Sequence, residues 1–430
     1  MTKKKVLIIT YYWPPSGGAG VQRWLKFVKY LPKYGWEPVI FTVDNGEYPS
    51  IDESLENDIP DGIEVIKSKI WEPYSFYKKF TGRKKDELIN AGFLKERKKA
   101  FFLERLSVWV RGNFFIPDAR KFWIKPSTRI LSSYLKDNSI DVVISSGPPH
   151  STHLIAKKIT ANYNLPWIAD FRDPWTNIDF YNDLMLSKFA DRKHKSLEKL
   201  VLSSADIILT VGKTLALELS QLGAKRVEVV ENGYDKSDLN KGFINQLDDK
   251  FSIAHIGTFS PSRNNETLWK ALSELVKEDD FFSNKLELKL IGKIDYSVTE
   301  SLKKYDLASF VNHIPYLSHD LVINQQMSSH LLLLMVNNTP NAKGIVTGKI
   351  FEYMASNRPT LVIGPSDGDV AEIVSKCNAG VTCDFDDIKK MKVSILDVFY
   401  KKQVNEPSIE NYSREALTMR LSNMLNDITK

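Results

Sequence analysis

Three short stretches place glycine, hydroxyl or charged residues directly after apolar runs, where a folded chain could bind a ligand. The first is SGGAG at 16–20, which follows KVLIIT at 5–10. Gly17, Gly18 and Gly20 would let the backbone approach a ligand closely and leave amides free at a helix start, where anions are favoured. The spacing is not GxGxxG, and the nearest acidic residue to the end of the second strand, Asp44, leads into an Asn-Gly turn, which argues against dinucleotide binding. A ligand loop and a tight turn both fit this stretch.

The second stretch is IADFRDPW at 168–175, in which three charged residues gather at the end of an apolar run. In open α/β sheets, ligands bind outside the carboxyl ends of the strands. We therefore expect Arg172 and Asp173 to lie at a ligand. The alternative is that these two residues form a local ion pair at a strand end.

The third stretch is GIVTGKIFEYMA at 344–355, which follows the apolar run LLLLM. Thr347, Gly348 and Lys349 would lie at a helix start, where amides, a hydroxyl and an ammonium can converge on a diphosphate. Lys349 and Glu352 are three residues apart and could instead form a surface pair. Ile350 stands where a P-loop would have its magnesium-binding Ser or Thr, so we do not expect a P-loop.

Short apolar runs alternate with helical patterns along most of the 430 residues. This alternation predicts parallel sheets in α/β, doubly wound domains. A polar stretch without periodicity follows Asn232-Gly233, and we place the linker at 233–250. We predict an N-terminal domain at 1–235, a C-terminal domain at 236–410, and a helix at 411–430 that packs back on the first domain.

Composition excludes several classes of protein. Hydrophobic residues make up 43% of the chain and charged residues 26%, which is unlike a disordered, collagenous or coiled-coil protein. The longest aliphatic run is 331–336, far short of the ~20 residues of a membrane span. The N-terminal apolar run leads into Trp-Pro-Pro and favours a first strand over a signal peptide. Two cysteines without zinc-ligand spacing fit a reducing cytoplasm.

The positive charge is concentrated in one segment. Residues 71–126 hold 14 Lys or Arg, six Asp or Glu, and 13 of the 48 aromatic residues. Such a mixture suits an anionic membrane surface, single-stranded nucleic acid, or a helical insertion with solvated lysines. We predict no nucleic-acid partner but a peripheral, salt-sensitive contact with anionic membrane. The residues we expect to make that contact are Lys84, Lys85, Lys98, Lys99, Phe101 and Phe102.

Taken in order, several segments resemble family 4 glycosyltransferases of the GT-B fold, especially bacterial members that build surface polysaccharides. The segments are YYWPPSGGAGVQRW, ADIILTVGKTLALELSQLGAKRVEVVENGYD, IGTFSPSRNNETLWKAL, KIFEYMASNRPTLVIGPSDGDVAEIVSKCNAG and YSREALTMRLSNML. The resemblance covers nearly the whole chain. It implies two Rossmann-like domains that face each other across a cleft, with the acceptor on the first domain and a nucleotide-sugar donor on the second.

The resemblance also implies roles for residues on the donor side. Glu352 matches the second glutamate of the family's Glu-x7-Glu pattern, which holds the nucleotide ribose, and Arg263 matches the basic residue at the donor diphosphate. Two positions depart from the family. Gly344 stands at the first glutamate, and Thr258 stands at the usual arginine. We expect Lys349 to supply the positive charge that Thr258 lacks.

On the acceptor side, the resemblance places Gly17, Gly18 and Gly20 in the loop that faces the donor. Arg172 and Asp173 fall where many members have His-Asp beside the anomeric carbon, so the resemblance implies that these two residues are catalytic. The family implies retention of the anomeric configuration.

Metal chemistry would need acidic ligands, and two Asp-x-Asp patterns occur, at 367–369 and 384–386. The first lies just before a helix, where N-capping is the alternative. We expect no metal and no cofactor, since the nucleotide-sugar is a co-substrate and Arg263 and Lys349 supply positive charge. The expected function is sugar transfer to a glycan or lipid-linked acceptor in surface-polysaccharide synthesis, in the cytoplasm or on the inner face of the plasma membrane. The alternatives are a nucleotide-sugar epimerase and a non-catalytic nucleotide-sugar or membrane-binding protein.

Overall fold

The computed structural model describes residues 3–48, 50–72, 98–239, 246–401 and 407–430. It divides the chain into two compact units. Unit 1 consists of Met1–Glu231 with Arg414–Lys430, and unit 2 is Asn232–Ser413. Each unit contains one parallel sheet with helices between its strands, so the prediction of two Rossmann-like, doubly wound domains is confirmed.

The sheet of unit 1 has seven parallel strands in the order β3-β2-β1-β4-β5-β6-β7. The strands are β1 Lys4–Ile9, β2 Trp36–Val43, β3 Glu64–Ser68, β4 Val142–Gly147, β5 Trp167–Phe171, β6 Ile207–Thr210 and β7 Val227–Val229. The central strands β1 and β4 are apolar on both faces because helices cover both sides of the sheet. The helices before the linker are α1 Ala19–Tyr30, α2 Lys98–Phe114, α3 Ile124–Asp137, α4 Ser151–Tyr163, α5 Lys188–Ser204 and α6 Lys213–Gln221.

In unit 1 the direction of winding reverses between β1 and β4. The chain passes from β1 outward to β2 and β3, and returns to place β4 on the other side of β1. The loops that leave the carboxyl ends of β1 and β4 therefore diverge, and the space between such loops is where open α/β sheets bind ligands. The candidate stretches 16–20 and 172–175 follow β1 and β5 at this same edge.

The sheet of unit 2 has six parallel strands in the order β10-β9-β8-β11-β12-β13. The strands are β8 Phe251–Ile256, β9 Leu286–Ile291, β10 Val311–Ile314, β11 Leu331–Met335, β12 Thr360–Ile363 and β13 Gly380–Cys383. The helices are α7 Lys236–Leu239, α8 Glu266–Glu278, α9 Asp280–Lys285, α10 Tyr296–Lys304, α11 His319–Ser328, α12 Lys349–Ala355, α13 Asp369–Lys376 and α14 Ile388–Phe399. Here the winding reverses between β8 and β11, so a ligand is expected where these two strands end.

The last helix, α15 Arg414–Ile428, belongs to unit 1 and packs on α1. Its three buried leucines repeat every four residues and so form one face: Leu417, Leu421 and Leu425. They join Trp24 and Phe27 of α1 in one hydrophobic cluster.

Of the basic segment 71–126, the structure describes Trp71, Glu72 and residues from 98 onward. Lys84 and Lys85 lie outside the described residues, as do the side chains of Lys98, Lys99, Phe101 and Phe102. None of the described helices is long and apolar enough to cross a membrane.

Candidate functional site

In unit 2, the loop after β8 gives the side chain of Lys349 room to cross the end of the strand. Gly257 has a φ of +110°, which side chains rarely adopt, and its amide donates to the carbonyl of Ile291 at 2.7 Å. A Cβ built on Gly257 would lie 2.8 Å from Cε of Lys349. Glycine at this position therefore serves both the backbone conformation and the close passage of the lysine.

Lys349 is half-buried, and its ammonium has no hydrogen-bond or ion-pair partner in the described part of the chain. The pKa of Lys349 is lowered from 10.5 to about 8, mainly by desolvation and further by the charge of Arg263, while Glu352 opposes the shift. The surface pair that the spacing of Lys349 and Glu352 would allow is not formed. A desolvated cation without a counter-ion is poorly stabilised alone and well placed to bind an anion.

Arg263 ties together the two loops at the reversal point of unit 2. It ends a short 3-10 turn, Pro261–Arg263. Its Nε donates to Oδ1 of Asn337, after β11, at 2.7 Å, and its Nη1 donates to the carbonyl of Thr258, after β8, at 2.8 Å. The guanidinium therefore lies at Thr258, the position where the resemblance led us to expect a different arginine.

A neutral histidine lies beneath these two cations. His255 is buried, and its Nδ1 lies 3.2 Å from the carbonyl oxygen of Leu333. Burial, followed by the charges of Lys349 and Arg263, lowers the pKa of His255 to about 3. The imidazole therefore adds no positive charge at neutral pH.

The other residues predicted to bind the nucleotide-sugar make fewer contacts within the protein. Oγ1 of Thr347 is buried and has no hydrogen-bond partner in the described structure. A Cβ on Gly348 would make only ordinary contacts, so neither sterics nor its φ requires glycine there. Glu352 accepts a long hydrogen bond, 3.4 Å, from Nε2 of Gln326. Gly344 lies in a 3-10 turn, and its amide donates to Asn341.

Both Asp-x-Asp patterns have partners inside unit 2. Asp367 forms an ion pair with Lys343, and Asp384 accepts from the amide of Ser366 at 2.9 Å. Gly368 is the N-cap residue of α13. Among the described residues, no three His, Cys, Asp or Glu side chains lie close enough together to hold a metal ion.

In unit 1, each glycine of the predicted loop has a local geometric reason. The amide of Gly17 donates to the carbonyl of Ser50, and a Cβ on Gly17 would lie 2.8 Å from Oγ of Ser50. Gly18 has a φ of +92° and is the N-cap residue of α1. A Cβ on Gly20 would lie 2.8 Å from Nη1 of Arg172. Close packing therefore explains why positions 17 and 20 are glycine. The positive φ of the turn explains why the exposed position 18 is glycine.

The structure does not pair Arg172 with Asp173. Nε of Arg172 donates to the carbonyl of Gly147 at 3.2 Å, and its Nη2 donates to that of Pro148 at 2.7 Å. Its guanidinium also lies 6.0 Å from the ring centre of Tyr12. The side chain of Asp173 is exposed, although surrounding protein raises its pKa by desolvation and Arg172 lowers it. Because water reaches this carboxylate, we expect it to be ionised at neutral pH.

Asp170, the third charged residue of that stretch, is internal. Asp170 and Arg23 are both 0% exposed and form an ion pair at 2.9 Å. The same carboxylate accepts from Nε1 of Trp24 and Oγ of Ser146, each at 2.9 Å, while Nη1 of Arg23 donates to the carbonyl of Val230. The pair is fully bonded inside the fold and presents nothing to a ligand.

Sequence reasoning missed two buried histidines beside the end of β4. His150 stacks on Trp175 with ring centres 4.4 Å apart, and His153 has its Nδ1 2.8 Å from Oγ of Ser145. Nδ1 of His150 and Nε2 of His153 are buried without a partner in the described structure. A Cβ on Gly147 would lie 3.1 and 2.5 Å from these two nitrogens, so both face the same point. The sequence signal is GPPHSTH, two histidines directly after a strand.

The chain resembles known proteins in both its fold and part of its sequence. Two Rossmann-like units of this kind form the fold of GT-B glycosyltransferases. Residues 91–238 match the sequence profile of Glycosyltransferase Family 4. That match covers about a third of the chain, mostly in the second half of unit 1. No curated protein sequence matches the chain significantly.

Solved structures resemble the chain over nearly its whole length. Sucrose-phosphate synthase from Thermosynechococcus elongatus has a TM-score of 0.61 at 13% identity and covers 99% of each chain. HepE of Anabaena, solved with UDP and glucose, has a TM-score of 0.60 at 14% identity, covering 99% of this chain and 100% of that one. TarM of S. aureus, solved with UDP, fondaparinux and α-GlcNAc-glycerol, has a TM-score of 0.61 at 12% identity, with coverages of 98% and 100%. At such low sequence identity, these TM-scores and coverages show a shared fold and nothing further.

Proposed function

We propose that this protein is a glycosyltransferase that moves a sugar from a nucleotide-sugar donor to a glycan or lipid-linked acceptor. The observation that carries the proposal is the unpartnered ammonium of Lys349 beside Arg263, at the point of unit 2 where the winding reverses. Two neighbouring cations, one without a counter-ion, suit a ligand with two adjacent negative charges. The diphosphate of a nucleotide-sugar has that chemistry.

The proposed chemistry follows from where charge develops. When the bond between sugar and diphosphate breaks, the leaving nucleoside diphosphate gains negative charge, and fixed positive charge lowers the barrier. Lys349 and Arg263 would supply it, in the role that a metal ion has in other enzymes. Thr347 and Gly348 would contact the same diphosphate, and Glu352 would accept from the ribose hydroxyls. We propose that this transfer is metal-independent.

From unit 1 we assign Asp173 to the reacting sugar, in a reaction that retains the anomeric configuration, and we assign Arg172 a positioning role beside it. Asp173 has an exposed carboxylate that can stabilise the positive character of the anomeric carbon. Arg172 uses its donors on two backbone carbonyls, so its role is to shape the loop after β4. Gly17, Gly18 and Gly20 would form the loop that faces the donor.

The similar structures support the donor class. HepE was solved with UDP and glucose and TarM with UDP, so a UDP-sugar is the first donor to test. We propose a place in cell-surface polysaccharide synthesis and a cytoplasmic location. Contact between the segment 71–126 and the inner face of the plasma membrane is part of this proposal, because a lipid-linked acceptor would be presented there.

A thermal-shift screen against UDP-, GDP- and ADP-sugars tests donor binding first. A ligand that binds only the folded protein at 100 times its Kd stabilises it by about 2.7 kcal/mol, which gives a clear rise in melting temperature. The matched control is Lys349→Met, which keeps the length of the side chain and removes its charge. A rise seen with one nucleotide-sugar and absent in the variant supports the proposal, whereas no rise with any donor contradicts it.

Product analysis then separates the remaining functions. Transfer of labelled sugar to a lipid-linked or glycan acceptor supports a transferase, and transfer that persists in EDTA supports metal independence. Release of an epimerised nucleotide-sugar would instead identify an epimerase. Donor binding with neither product would identify a non-catalytic nucleotide-sugar-binding protein, which is the alternative that Gly344 motivates.

A further inference from the structure

A row of exposed aromatic side chains runs across one surface of unit 1. Trp71 is 61% exposed and Phe122 is 42% exposed, and their ring centres are 4.9 Å apart. Phe115 continues the row at 6.1 Å from Phe122. Nζ of Lys121 lies 5.1 Å from the ring centre of Phe122 and 5.2 Å from that of Phe115. Cationic and aromatic groups are therefore interleaved in the folded structure as well as in the sequence.

The end of α2 extends this surface. Phe114 is 60% exposed, and its ring centre is 5.7 Å from that of Trp109, one turn earlier and also exposed. Nζ of Lys121 donates to the carbonyl of Phe114 at 2.5 Å, which joins the helix end to the row of rings. Exposure of so much apolar area to water is unfavourable, and large exposed apolar patches usually mark a contact site.

The start of α5 adds more cations and one further ring. The amide of Ser187, the N-cap residue of α5, donates to Oδ1 of Asn113 in α2 at 2.7 Å, so the two helices meet at this surface. Phe189 in the first turn of α5 is 71% exposed. The exposed cations of the same two turns are Lys188, Arg192 and Lys193.

Three acidic residues near this surface, among those that the structure describes, have internal partners. Glu72 forms an ion pair with Arg120 at 2.9 Å, and Asp191 forms one with Lys195 at 2.9 Å. Asp118 accepts from the amide and hydroxyl of Ser151. Burial lowers the pKa of Lys121, and the charge of Lys193 lowers it further, so these two cations lie near each other. Together with Lys188 and Arg192 they place four cations at this surface.

The ring geometry distinguishes between classes of partner. Trp71 meets Phe122 at an interplanar angle of 79°, and Trp109 meets Phe114 at 72°. Rings packed edge to face against one another offer few free faces for stacking by nucleic-acid bases. Entry into the headgroup region of a bilayer needs only exposed aromatic area and nearby cations, and both are present.

We propose that this surface is a docking site for an anionic lipid bilayer. We call it the aromatic-basic face, and define its rings as Trp71, Trp109, Phe114, Phe122 and Phe189, and its cations as Lys121, Lys188, Arg192 and Lys193. The proposal rests on the membrane contact of the proposed function and deepens it, because it names the face and the side chains that make that contact. It also assigns membrane contact to side chains that the sequence prediction did not name, including four in α5.

Vesicle co-sedimentation tests the proposal with the full chain. We expect binding to vesicles of phosphatidylcholine mixed with phosphatidylglycerol, little binding to phosphatidylcholine alone, and release at ~1 M salt, where the Debye length is about 3 Å. The double variant Lys188→Glu/Arg192→Glu should weaken partitioning by about 25-fold or more, since each cation near an anionic surface contributes ~1 kcal/mol. Phe114→Ser/Phe122→Ser should also weaken it, by removing inserted area.

Matched controls lie in unit 2, where Phe281 is 60% exposed, as Phe114 is, and Lys270 is exposed. Phe281→Ser and Lys270→Glu should leave vesicle binding unchanged. Equal binding to both vesicle types, or equal losses in the control variants, would overturn the proposal. Binding of random single-stranded oligonucleotides without vesicle binding would overturn it in favour of a nucleic-acid surface. Donor-induced thermal shifts should be the same in every variant, so this test and that of the proposed function fail separately.

Discussion

The two units place charged residues at equivalent points of equivalent sheets, yet they use those residues differently. At the carboxyl ends of the strands in unit 1, Asp170 is enclosed with Arg23, and Arg172 donates to the carbonyls of Gly147 and Pro148. In unit 2, Lys349 crosses Gly257 and meets no acceptor in the described structure. A position where the winding of a sheet reverses is therefore not enough to identify a ligand site. Whether each charged side chain there already has a bonding partner in the protein distinguishes a ligand-binding residue from a structural one.

This difference has a thermodynamic consequence. A buried charge with a bonded partner contributes to folding, and removing the partner leaves an uncompensated charge. A desolvated charge without a partner weakens the free protein and is stabilised when an anion arrives. Removing the charge of Asp170 should therefore lower stability, whereas removing the charge of Lys349 should leave it unchanged or higher. Ligand binding should depend on Lys349.

The largest effect is expected for Asp170→Ala. This change leaves the guanidinium of Arg23 buried without its carboxylate, which typically costs 3–5 kcal/mol, so we expect a loss of about that size in the free energy of unfolding of unit 1. Urea unfolding followed by tryptophan fluorescence measures it, because every tryptophan except Trp269 lies in unit 1.

The control for this measurement is Asp173→Ala, at an exposed carboxylate three residues further on. We expect its free energy of unfolding to stay within about 0.5 kcal/mol of the wild type. Equal losses in the two variants would mean that the Arg23–Asp170 pair has no special role in folding.

The next effect concerns Lys349→Met and Arg263→Gln. Each should lower transfer by roughly 10²–10³-fold, the scale of losing one preorganised charge-stabilising group. Lys349→Met should leave thermal stability unchanged or higher, because it removes a desolvated, unpartnered cation. Arg263→Gln should lose about 1 kcal/mol, because its bonds to Asn337 and Thr258 are broken.

Steady-state transfer rates and melting temperatures check both variants of the cationic site. Full activity in either one would remove that residue from the proposed chemistry. A marked fall in the melting temperature of Lys349→Met would show that the lysine stabilises the fold through a contact of its own.

The sequence predicted the parts of the fold that depend on local pattern. Strands that are buried on both faces, such as β11 with its run LLLLM, read as continuous apolar segments and were placed correctly. The edge strands β3 and β13 were not predicted. Both are partly exposed, β3 carries Glu64 and Lys67, and β13 begins at Gly380, so their composition resembles that of loops.

The sites could be predicted only in part, because bonding between distant residues decides their roles. Arg23 and Asp170 are 147 positions apart, and no local pattern shows that they pair. The lack of a partner for Lys349 is likewise a property of the folded chain. The sequence indicated Lys349 and Arg172 because each follows a predicted strand, and the family resemblance indicated Arg263. Neither approach could separate a bonded charge from a free one.

A smaller effect is expected for Asp173→Asn in unit 1. The amide keeps the shape of the side chain and removes its charge, so donor affinity should be retained while kcat falls about 10²-fold. Donor titration and initial-rate kinetics separate the two quantities. Asp183→Asn, at an exposed position in the loop after β5, should have normal turnover. Normal turnover in Asp173→Asn would make Asp173 a surface residue, and chemistry would then rest on unit 2 alone.

The smallest effect is a pH dependence that distinguishes the free lysine of unit 2 from the permanently charged arginine beside it. With a pKa lowered to about 8, Lys349 is protonated at pH 7 and mostly neutral at pH 9, so affinity for a nucleotide-sugar should fall about tenfold over that range. Between pH 8 and 10.5 the unfolded chain keeps the proton that the folded protein has lost, so this group makes the free energy of unfolding rise with pH.

Calorimetric titration with a nucleotide-sugar checks this prediction, since its diphosphate diester does not titrate near neutral pH. Lys349→Arg provides the control, because a guanidinium keeps its charge throughout and should flatten the profile while preserving binding at pH 7. A wild-type affinity that stays constant up to pH 9 would mean that Lys349 gains a partner in the complex or does not contact the donor. If the affinity of Lys349→Arg also falls between pH 7 and pH 9, the pH dependence belongs to another group of unit 2. Arg263 would then be the residue that distinguishes the ligand site of unit 2 from the bonded charges of unit 1.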